Sequence, residues 1–414
     1  MKILMVTPFY PPDPGGISEH VARIATILSK EYHCSVFIAS CSVKNSNLAH
    51  QNKNINVNNI MIPSIIPPIP RQTLKSLRIP LQINLLKTVI EKVQPDIIHA
   101  HGHHYPITWI AAYMSKKRKI PFILTLHGMY ALTTKPTILE EIFNKTIFKW
   151  LLQLSDAVIA LTPTMASYVR KYSKNVPIYI IPNGVELALF QSNLNRKFEF
   201  RRIYSLPEDK IIILYRGRFV SVKGFEELIN AIEILNQKYE IKSKTEFLLI
   251  GDGPLREKAT KKLSKYDNCK IMGWTPRETI HELYIASDIF ILPSKWPEAL
   301  PIALLEAMAA NLFIIASKRG SIPDILQGYS RKKYLEEPSV VEIAKTLLDV
   351  IYNWHNYNSK TFREAYIYQF SWENVARQTY NVYIKSLQQL RLGCAVRWDK
   401  YLKNLSMRNN EALL

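Results

Sequence analysis

Two cations close together in the chain are the first residues whose types and spacing predict chemistry. Arg218 and Lys223 lie in RGRFVSVKG, between the apolar run IIILY and a predicted helix that begins after Gly224. Guanidinium and ammonium groups bind phosphate oxygens through charge-assisted hydrogen bonds, so this pair could hold a phosphate or a diphosphate. A solvated basic loop would have the same composition, and this segment alone does not separate the two interpretations.

Two glutamates enclose the predicted start of a helix in PSKWPEALPIALLEAM. Glu298 follows a predicted strand, and Glu306 lies eight residues later inside the helix. The first backbone N–H groups of a helix are free and the positive end of its dipole lies there, so Leu300–Ala303 is a potential anion site. One carboxylate on each side could accept hydrogen bonds from sugar hydroxyls. Surface glutamates are the alternative, but the apolar neighbourhood favours buried carboxylates that need a partner.

Four histidines within six positions, HAHGHH at 99–104, follow the predicted strand DII. Side chains alternate along a strand, so His99, His101 and His103 should share one face at the carboxyl end, where α/β proteins bind substrates. The local spacings that are typical of zinc sites are lacking. We therefore predict no metal here and leave two interpretations open: polar residues that end a strand, and residues that contact a substrate.

The elements that must position these residues follow an alternating pattern that runs through the chain twice. Short runs rich in Ile and Val alternate with stretches of helical periodicity, first up to IYIIPN and again from about residue 211. Strands that are apolar throughout are typical of a parallel sheet covered on both faces. The sequence therefore predicts an α/β protein with two doubly wound, Rossmann-like domains. Ligands should bind at the carboxyl ends of the strands, in the cleft between the domains.

Composition limits the class of partner. The chain of 414 residues has a formal net charge of +20. Such a charge indicates attraction to an anionic partner, which could be lipid, nucleic acid or a phosphorylated substrate. The basic residues are scattered without interleaved aromatic ones, which argues against nucleic acid. The four cysteines form no CxxC pair, as expected in a reducing cytosol. The apolar run 299–316 is interrupted by Pro301, Glu306 and Asn311, so we predict a buried helix and strand there and no membrane span.

Ten segments follow one another in a characteristic order along the chain. They are PDIIHAHG, FILTLHG, IPNGVELALF, YRGRFVSVKGFEELINAI, LLIGDGP, MGW, SDIFILPS, PEALPIALLEAMA, IIASKRGSIPDIL and FSWENVA. Together they resemble the retaining GT-B glycosyltransferases of glycosyltransferase family 4, up to about residue 390. The resemblance implies transfer of a hexosyl residue from a nucleotide-sugar, GDP-mannose or a UDP-hexose, to a hydroxyl of a glycan, a glycolipid or a lipid-linked acceptor. It implies retention of anomeric configuration, and no metal or other cofactor.

The resemblance also implies roles for individual residues. Arg218 and Lys223 match the cations that bind the donor diphosphate. Glu306 matches the carboxylate that binds the ribose, Glu298 matches the one that holds the transferred sugar, and His127 in TLHG matches the active-site histidine. The predicted catalytic residues are His127, Arg218, Lys223 and Glu298. The predicted donor-binding residues are Gly16, Arg218, Lys223, Gly251, Gly273, Glu298, Ala299, Leu300, Pro301, Ile302 and Glu306. The predicted acceptor-side residues are Gly15, His99 and His101.

The resemblance divides the chain into an acceptor-binding domain at 1–185 and a nucleotide-sugar-binding domain at 186–370. A C-terminal helix at 371–390 is predicted to pack back on the first domain, with Ser371 as its N-cap, and 391–414 is a basic tail. We expect a cytoplasmic protein whose basic surface could attach it peripherally to the cytoplasmic face of an anionic membrane.

Pro301 departs from the family pattern, because proline has no N–H to donate to a phosphate, although it suits a first helical turn. Two alternatives stay open. One is a catalytically inactive GT-B-fold scaffold that binds membrane or nucleic acid, and the other is a different GT-B enzyme such as a nucleotide-sugar epimerase. The intact cations and glutamates argue against the first alternative.

Overall fold

The computed structural model describes residues 1–13, 15–42, 57–65, 78–129, 137–273, 275–358 and 364–389. The first half of the chain forms a sheet of the strands β1 (Lys2–Thr7), β2 (Ser35–Ser42), β3 (Val57–Ile65), β4 (Ile79–Pro80), β5 (Ile97–His101), β6 (Phe122–Thr125), β7 (Ala157–Ala160) and β8 (Ile178–Ile180). Their order is β4-β3-β2-β1-β5-β6-β7-β8, and the pairs are parallel except β3 with β4. The helices are α1 (Gly16–Lys30), α2 (Ile83–Val93), α3 (Pro106–Arg118), α4 (Ile138–Phe143), α5 (Lys149–Leu154) and α6 (Pro163–Tyr172).

The second half repeats the architecture after two connecting helices, α7 (Leu187–Gln191) and α8 (Lys197–Ile203). Its strands are β9 (Ile211–Arg216), β10 (Thr245–Ile250), β11 (Cys269–Met272), β12 (Ile289–Leu292), β13 (Phe313–Ser317) and β14 (Lys332–Leu335). They are parallel, in the order β11-β10-β9-β12-β13-β14. The helices are α9 (Phe225–Lys238), α10 (Arg256–Leu263), α11 (Arg277–Ala286), α12 (Ile302–Ala309), α13 (Ile322–Leu326), α14 (Val340–Tyr352) and α15 (Trp354–Asn358).

Successive residues of the central strands pack into two separate cores, one on each face of the sheet. In β1, Leu4 belongs to one core and Ile3 to the other, and in β9 the same holds for Leu214 and Ile213. A strand that is buried on both faces must be apolar at every position, which explains the continuous apolar runs in the sequence. The predicted architecture of two doubly wound α/β domains is confirmed.

The chain returns to the first domain in its last described helix, α16 (372–389). Ser371 caps this helix as predicted, because its Oγ accepts a hydrogen bond from the Asn374 N–H at 3.1 Å. Val185 pairs with Ser371, so the two segments that cross between the domains run side by side. Trp372 is buried against Gly184, where a Cβ would lie 2.3 Å from the indole ring. A glycine is therefore required at this crossing.

Within the described parts of the chain, none of the helices combines the length and the apolar character needed to cross a bilayer. The predicted basic tail, 391–414, lies outside the described residues. The predicted boundary between residues 185 and 186 stays a prediction.

Candidate active site

Lys223 and Glu298 meet between the loops that follow β9 and β12. The Lys223 Nζ lies 2.5 Å from Oε1 of Glu298, and the same oxygen accepts a hydrogen bond from Ser294 Oγ at 2.6 Å. Gly224 permits this approach, since its φ is 67° and a Cβ there would lie 1.8 Å from the carbonyl oxygen of Pro293. The fold thus brings together the predicted diphosphate cation and the predicted sugar-binding carboxylate.

Glu306 is ion-paired with a residue that the sequence analysis did not single out. Arg216, the last residue of β9, donates from Nη1 to Oε2 of Glu306. The Glu306 side chain is 8% exposed and that of Arg216 is 27% exposed. Burial opposes the charge of Arg216, yet the adjacent Glu306 raises the pKa of the guanidinium above its ordinary value. The carboxylate predicted to bind a ribose therefore already lies against a cation.

Arg218, Gly251 and Gly273 lie on the loops that follow β9, β10 and the edge strand β11 of the second sheet. The Arg218 side chain is exposed, at the side of the sheet where ligands of α/β proteins bind. Gly251 has φ 145°, and a Cβ there would lie 1.9 Å from the carbonyl oxygen of Gly217. Gly251 therefore allows the loops after β9 and β10 to pack. Contact of these three residues with a donor stays a prediction.

The start of α12 faces the glycine loop of the first domain. A Cβ on Gly16 would lie 3.9 Å from Cδ1 of Ile302, whereas Gly15, with φ 134°, has open space at its Cβ position. Pro301 is the N-cap of α12, and its carbonyl oxygen accepts from the Leu304 N–H at 3.0 Å. The predicted donor-binding helix start and the predicted glycine loop thus line opposite sides of the same cleft.

Asn183 connects the donor loop of the second domain to α1. Its Nδ2 donates at 2.8 Å to the carbonyl oxygen of Leu300, the residue after the half-buried Ala299. Its Oδ1 lies 2.9 Å from Nδ1 of His20. Because the amide NH₂ is directed at Leu300, the amide oxygen must accept the hydrogen bond from His20. His20 therefore carries its proton on Nδ1 and keeps a lone pair on Nε2.

We expect Asn183→Asp to lower the free energy of unfolding by about 1–3 kcal/mol, the cost of leaving a buried polar group without its partner. The substitution keeps the shape but replaces the NH₂ donor with an oxygen that faces the carbonyl of Leu300. Urea unfolding at neutral pH measures the loss. Asn84→Asp, at an exposed position in the first turn of α2, is the control and should change stability by less than about 0.5 kcal/mol. Equal stabilities of the two variants would contradict the buried amide bridge.

His20, His101 and His127 cluster at the carboxyl ends of β5 and β6. Nδ1 of His101 lies 3.1 Å from Nε2 of His127, and the ring centroids of His20 and His127 are 4.9 Å apart. Burial lowers the pKa of all three imidazoles, to about 4 for His20 and well below 6.5 for the other two. They are therefore neutral at pH 7, and His127, the one of the three that is not fully buried, could hydrogen-bond a substrate without carrying charge.

His99 lies behind this cluster rather than at the cleft. It is fully buried, with Nδ1 2.6 Å from the phenol oxygen of Tyr383 and Nε2 2.7 Å from Oγ1 of Thr125. Both ring nitrogens are used inside the protein, and α16 covers the ring. This arrangement does not support the predicted contact of His99 with an acceptor.

His103 does not share the face of His99 and His101, so that prediction is wrong. The strand ends at His101, and Gly102, with φ 84°, turns the chain. The His103 ring then packs in an aromatic pocket, 4.5 Å from the centroid of Phe148. Side chains alternate between the two faces of a sheet only as far as the strand extends. The spacing of the histidines does not reveal that Gly102 turns the chain inside the motif.

The histidine cluster is the place in the described residues where a metal ion could be bound. In the described residues, His20, His101 and His127 are the one group of three potential ligands, with nitrogen atoms within 4.8 Å of one another. Neutral imidazole is the form that binds zinc, but tetrahedral ligands at Zn–N distances near 2.0–2.1 Å lie only about 3.3 Å apart. The rings would have to close in, so the residues do not form a finished site, and the absence of a metal stays a prediction.

We expect thermal stability to fall as the pH drops from 6.5 towards 4. His20 has a folded-state pKa of about 4, below the ordinary value of 6.5 that holds in the unfolded chain. Between these values the unfolded chain binds more protons, so the free energy of unfolding decreases as the pH falls. Differential scanning calorimetry of the wild type and His20→Gln measures this, and the variant should lose less stability over this range. The same slope for both proteins would contradict a buried neutral His20.

Four polar residues of the site were not predicted from the sequence: His20, Asn183, Arg216 and Ser294. A search for polar residues at the ends of apolar strands would have found Arg216 and Ser294. His20 and Asn183 offer no such signal, because they contact each other across 163 positions of the sequence.

Two family models match the chain, one in each half. The family described as Glycosyltransferase Family 4 matches residues 14–189, and the family described as Glycosyl transferases group 1 matches residues 196–367. Two facing Rossmann-like domains with cations and carboxylates at the cleft are the architecture of the GT-B fold, and both family models are those of glycosyltransferases. The chain belongs to the group 1 GT-B glycosyltransferases, as the resemblance predicted.

Two named relatives align with different fractions of the chain. It is 30% identical over 242 residues, 58% of each chain, to TuaC of Bacillus subtilis, named as a glycosyltransferase of teichuronic acid biosynthesis. It is 23% identical over 418 residues to a human protein that is named as one of the subunits of phosphatidylinositol N-acetylglucosaminyltransferase, covering 97% of this chain and 80% of that one.

Solved structures share the fold. Sucrose-phosphate synthase from Thermosynechococcus elongatus superposes with a TM-score of 0.74 at 21% identity, over 93% of this chain and 98% of that one. Anabaena HepE in complex with UDP-glucose superposes with a TM-score of 0.63 at 16% identity, over 96% of this chain and 100% of that one. At these identities the likeness establishes the GT-B fold alone.

Proposed function

We propose that this glycosyltransferase transfers a hexosyl residue from a nucleotide-sugar to a hydroxyl of a glycan or lipid-linked acceptor, with retention of anomeric configuration. GDP-mannose and UDP-hexoses are the proposed donors, and no metal or other cofactor is required. The observation that carries the proposal is the contact of Lys223 with Glu298 in front of α12.

The contact supports a donor site because it joins a phosphate-binding cation to a hydroxyl-binding carboxylate. Departure of the nucleotide places negative charge on the diphosphate, which Lys223, held by Glu298, and the N-terminus of α12 would stabilise together with the exposed Arg218. Glu298 is 7% exposed, so a sugar bound beside it would be largely out of water. This arrangement stabilises the transition state more than the intact donor, as catalysis requires.

Retention is proposed to proceed by attack on the same face from which the nucleotide leaves. Oε1 of Glu298 is engaged by Lys223 and Ser294, an arrangement that suits a carboxylate that positions the sugar. Retaining glycosidases instead use a pair of carboxyl groups, one of them a nucleophile. In our proposal the leaving phosphate accepts the proton of the acceptor hydroxyl, and neutral His127 hydrogen-bonds the transferred sugar.

The relatives support the chemical classes of donor and acceptor. HepE has been solved with UDP-glucose, which favours a nucleotide-sugar with a UDP moiety. The human relative is named for phosphatidylinositol, which favours a lipid-bearing acceptor. A net charge of +20 adds an anionic membrane surface as a partner, and we propose a cytoplasmic protein that is peripheral to that surface.

A panel of nucleotide-sugars tests the proposal. GDP-mannose, UDP-glucose, UDP-galactose and UDP-N-acetylglucosamine would each be scored for thermal stabilisation and slow donor hydrolysis by the wild type and Glu298→Ala. One donor should stabilise the wild type and be hydrolysed by it, whereas the variant should do neither. That donor would identify the base and the sugar together.

Two results would contradict the proposal. If none of the donors stabilises the wild type and Glu298→Ala behaves identically, the resemblance is one of fold alone. If the wild type converts one nucleotide-sugar into another without any acceptor, the enzyme is an epimerase.

A further inference from the structure

His101 lies in the histidine cluster but is closed off from the cleft. It is 0% exposed, and its ring centroid lies 4.2 Å from that of His99 and 5.4 Å from that of His127. This burial does not support the predicted contact of His101 with an acceptor. A buried side chain can still act on a substrate through a neighbour that reaches the cleft, and His127 is such a neighbour.

The pairing of β5 with β6 explains why His101 contacts His127. Thr125 lies opposite His101 in the parallel register, and His127 follows two residues later. His99 contacts Thr125 through Nε2, and His101 contacts His127 through Nδ1. Each histidine of β5 thus contacts the residue two positions beyond its register partner. The paired strands therefore hold the imidazoles of His101 and His127 against each other.

One hydrogen bond joins these two rings, and only one of them can donate it. Nδ1 of His101 lies 3.1 Å from Nε2 of His127. Burial lowers the pKa of both imidazoles well below 6.5, so each ring carries a single proton at pH 7. Either His101 donates from Nδ1 and His127 accepts at Nε2, or His127 donates from Nε2 and His101 accepts at Nδ1.

The other nitrogen of His101 decides between these two arrangements. Nε2 of His101 is buried and has no hydrogen-bond partner among the described residues. When His101 donates from Nδ1, this Nε2 holds a lone pair, whereas in the reverse arrangement it is a buried N–H without an acceptor. Orphaned buried N–H groups are rarer in proteins than buried acceptors left unsatisfied. The first arrangement is therefore favoured, and it puts the proton of His127 on Nδ1.

We propose that His101 is a positioning residue that holds His127 in the tautomer with its proton on Nδ1. The two nitrogens of an imidazole point away from each other, so Nδ1 of His127 is directed away from the buried His101. His127 itself is half-buried, and in the described part of the chain its one hydrogen bond is the one at Nε2. Nδ1 therefore presents an N–H donor instead of a lone pair. That this donor meets a hydroxyl oxygen of the transferred sugar rests on the proposed function.

The tautomer matters because it is fixed before a substrate arrives. Neutral histidine without a constraint favours the proton on Nε2, which leaves a lone pair on Nδ1. Without His101, a sugar oxygen that accepts from Nδ1 of His127 would lose its donor, or the ring would have to change tautomer in each turnover. Hydrogen-bond donors accelerate a reaction most when they need no reorganisation. His101 therefore acts on the rate although it does not touch the substrate.

Nitrogen-15 NMR of the full chain, in the presence of EDTA and without substrate, tests the tautomer. Couplings between the carbon-bound ring protons and the ring nitrogens distinguish a nitrogen that carries a proton from one that carries a lone pair. The histidine signals that disappear in His127→Gln should show the proton on Nδ1 at pH 7. In His101→Phe the proton of His127 should move to Nε2. A wild-type His127 with its proton on Nε2 would overturn the inference.

Steady-state kinetics of two His101 variants separates positioning from packing. His101→Phe keeps an aromatic ring but has no N–H, whereas His101→Asn loses the ring but can place an amide N–H near the position of Nδ1. We expect kcat to fall by about 10- to 100-fold in His101→Phe, approaching the cost of losing one preorganised donor, with little change in KM for the donor. His101→Asn should recover most of kcat. The opposite order would contradict the inference, because a packing role predicts that the aromatic variant is the better enzyme.

His103→Phe is the matched control. His103 is also fully buried, but neither of its ring nitrogens has a hydrogen-bond partner among the described residues, so phenylalanine should leave kcat unchanged. Failure of this inference and failure of the proposed function are distinguishable, because the NMR measurement needs no donor. A protein that uses none of the nucleotide-sugars but carries the His127 proton on Nδ1 would contradict the proposed function and still support the role of His101.

Discussion

Replacing Lys223 by alanine is expected to lower kcat for sugar transfer by about 10²- to 10³-fold, the usual cost of removing one preorganised group that stabilises developing negative charge. The ammonium lies 2.5 Å from Glu298, so its removal also takes away the cation beside that carboxylate, which keeps its hydrogen bond from Ser294. The effect should be larger on kcat than on donor affinity, because the charge on the diphosphate grows in the transition state. Steady-state kinetics with the donor from the panel measures both.

Lys262→Ala is the matched control for this substitution. Lys262 is ion-paired with Glu233 between α10 and α9, and its side chain is 24% exposed against 21% for Lys223. It lies away from the cleft, so its removal should leave kcat unchanged. A Lys223→Ala enzyme with wild-type kcat would show that the cation does not act on the leaving group.

Arg216→Met is expected to lower the free energy of unfolding by about 3 kcal/mol. The substitution leaves Glu306, 8% exposed, as a buried charge that has lost its cation. Breaking a buried ion pair in this way costs about 3–5 kcal/mol, and we expect the lower end because 27% of the Arg216 side chain is exposed. Urea unfolding at neutral pH measures the loss.

The double variant Arg216→Met with Glu306→Leu separates this cause from a simple loss of packing. With both charges replaced by apolar side chains of similar size, most of the stability should return. The double variant should nevertheless fail to bind the donor if Glu306 holds the ribose. A double variant as unstable as Arg216→Met would show that the charge left on Glu306 is not the cause.

Much of the fold could be predicted because its signals are local. Central strands buried on both faces must be apolar at every position, so β1, β9, β12 and β13 stand out from the sequence as continuous runs. β3 and β14 escaped prediction because both are rich in polar or basic residues. Asn58 and Asn59 interrupt β3, and β14 begins with Lys332 and Lys333. Such strands are recognised only through the neighbour that they pair with.

By itself the sequence determined the class of enzyme, and it predicted that Lys223 and Glu298 come together. Lys223 and Glu298 lie in the loops that follow two neighbouring strands, β9 and β12, and parallel strands in one sheet bring their carboxyl ends together whatever lies between them. The tertiary structure alone decided the roles of His99 and Asn183. His99 lies behind the cleft, where it contacts Tyr383 of α16, and Asn183 lies between His20 and Leu300 and binds both. These contacts join residues that are 117 to 284 positions apart in the chain. The residues that neighbour a side chain in the sequence do not indicate a partner at that distance, because the packing of whole domains determines which distant residues come into contact.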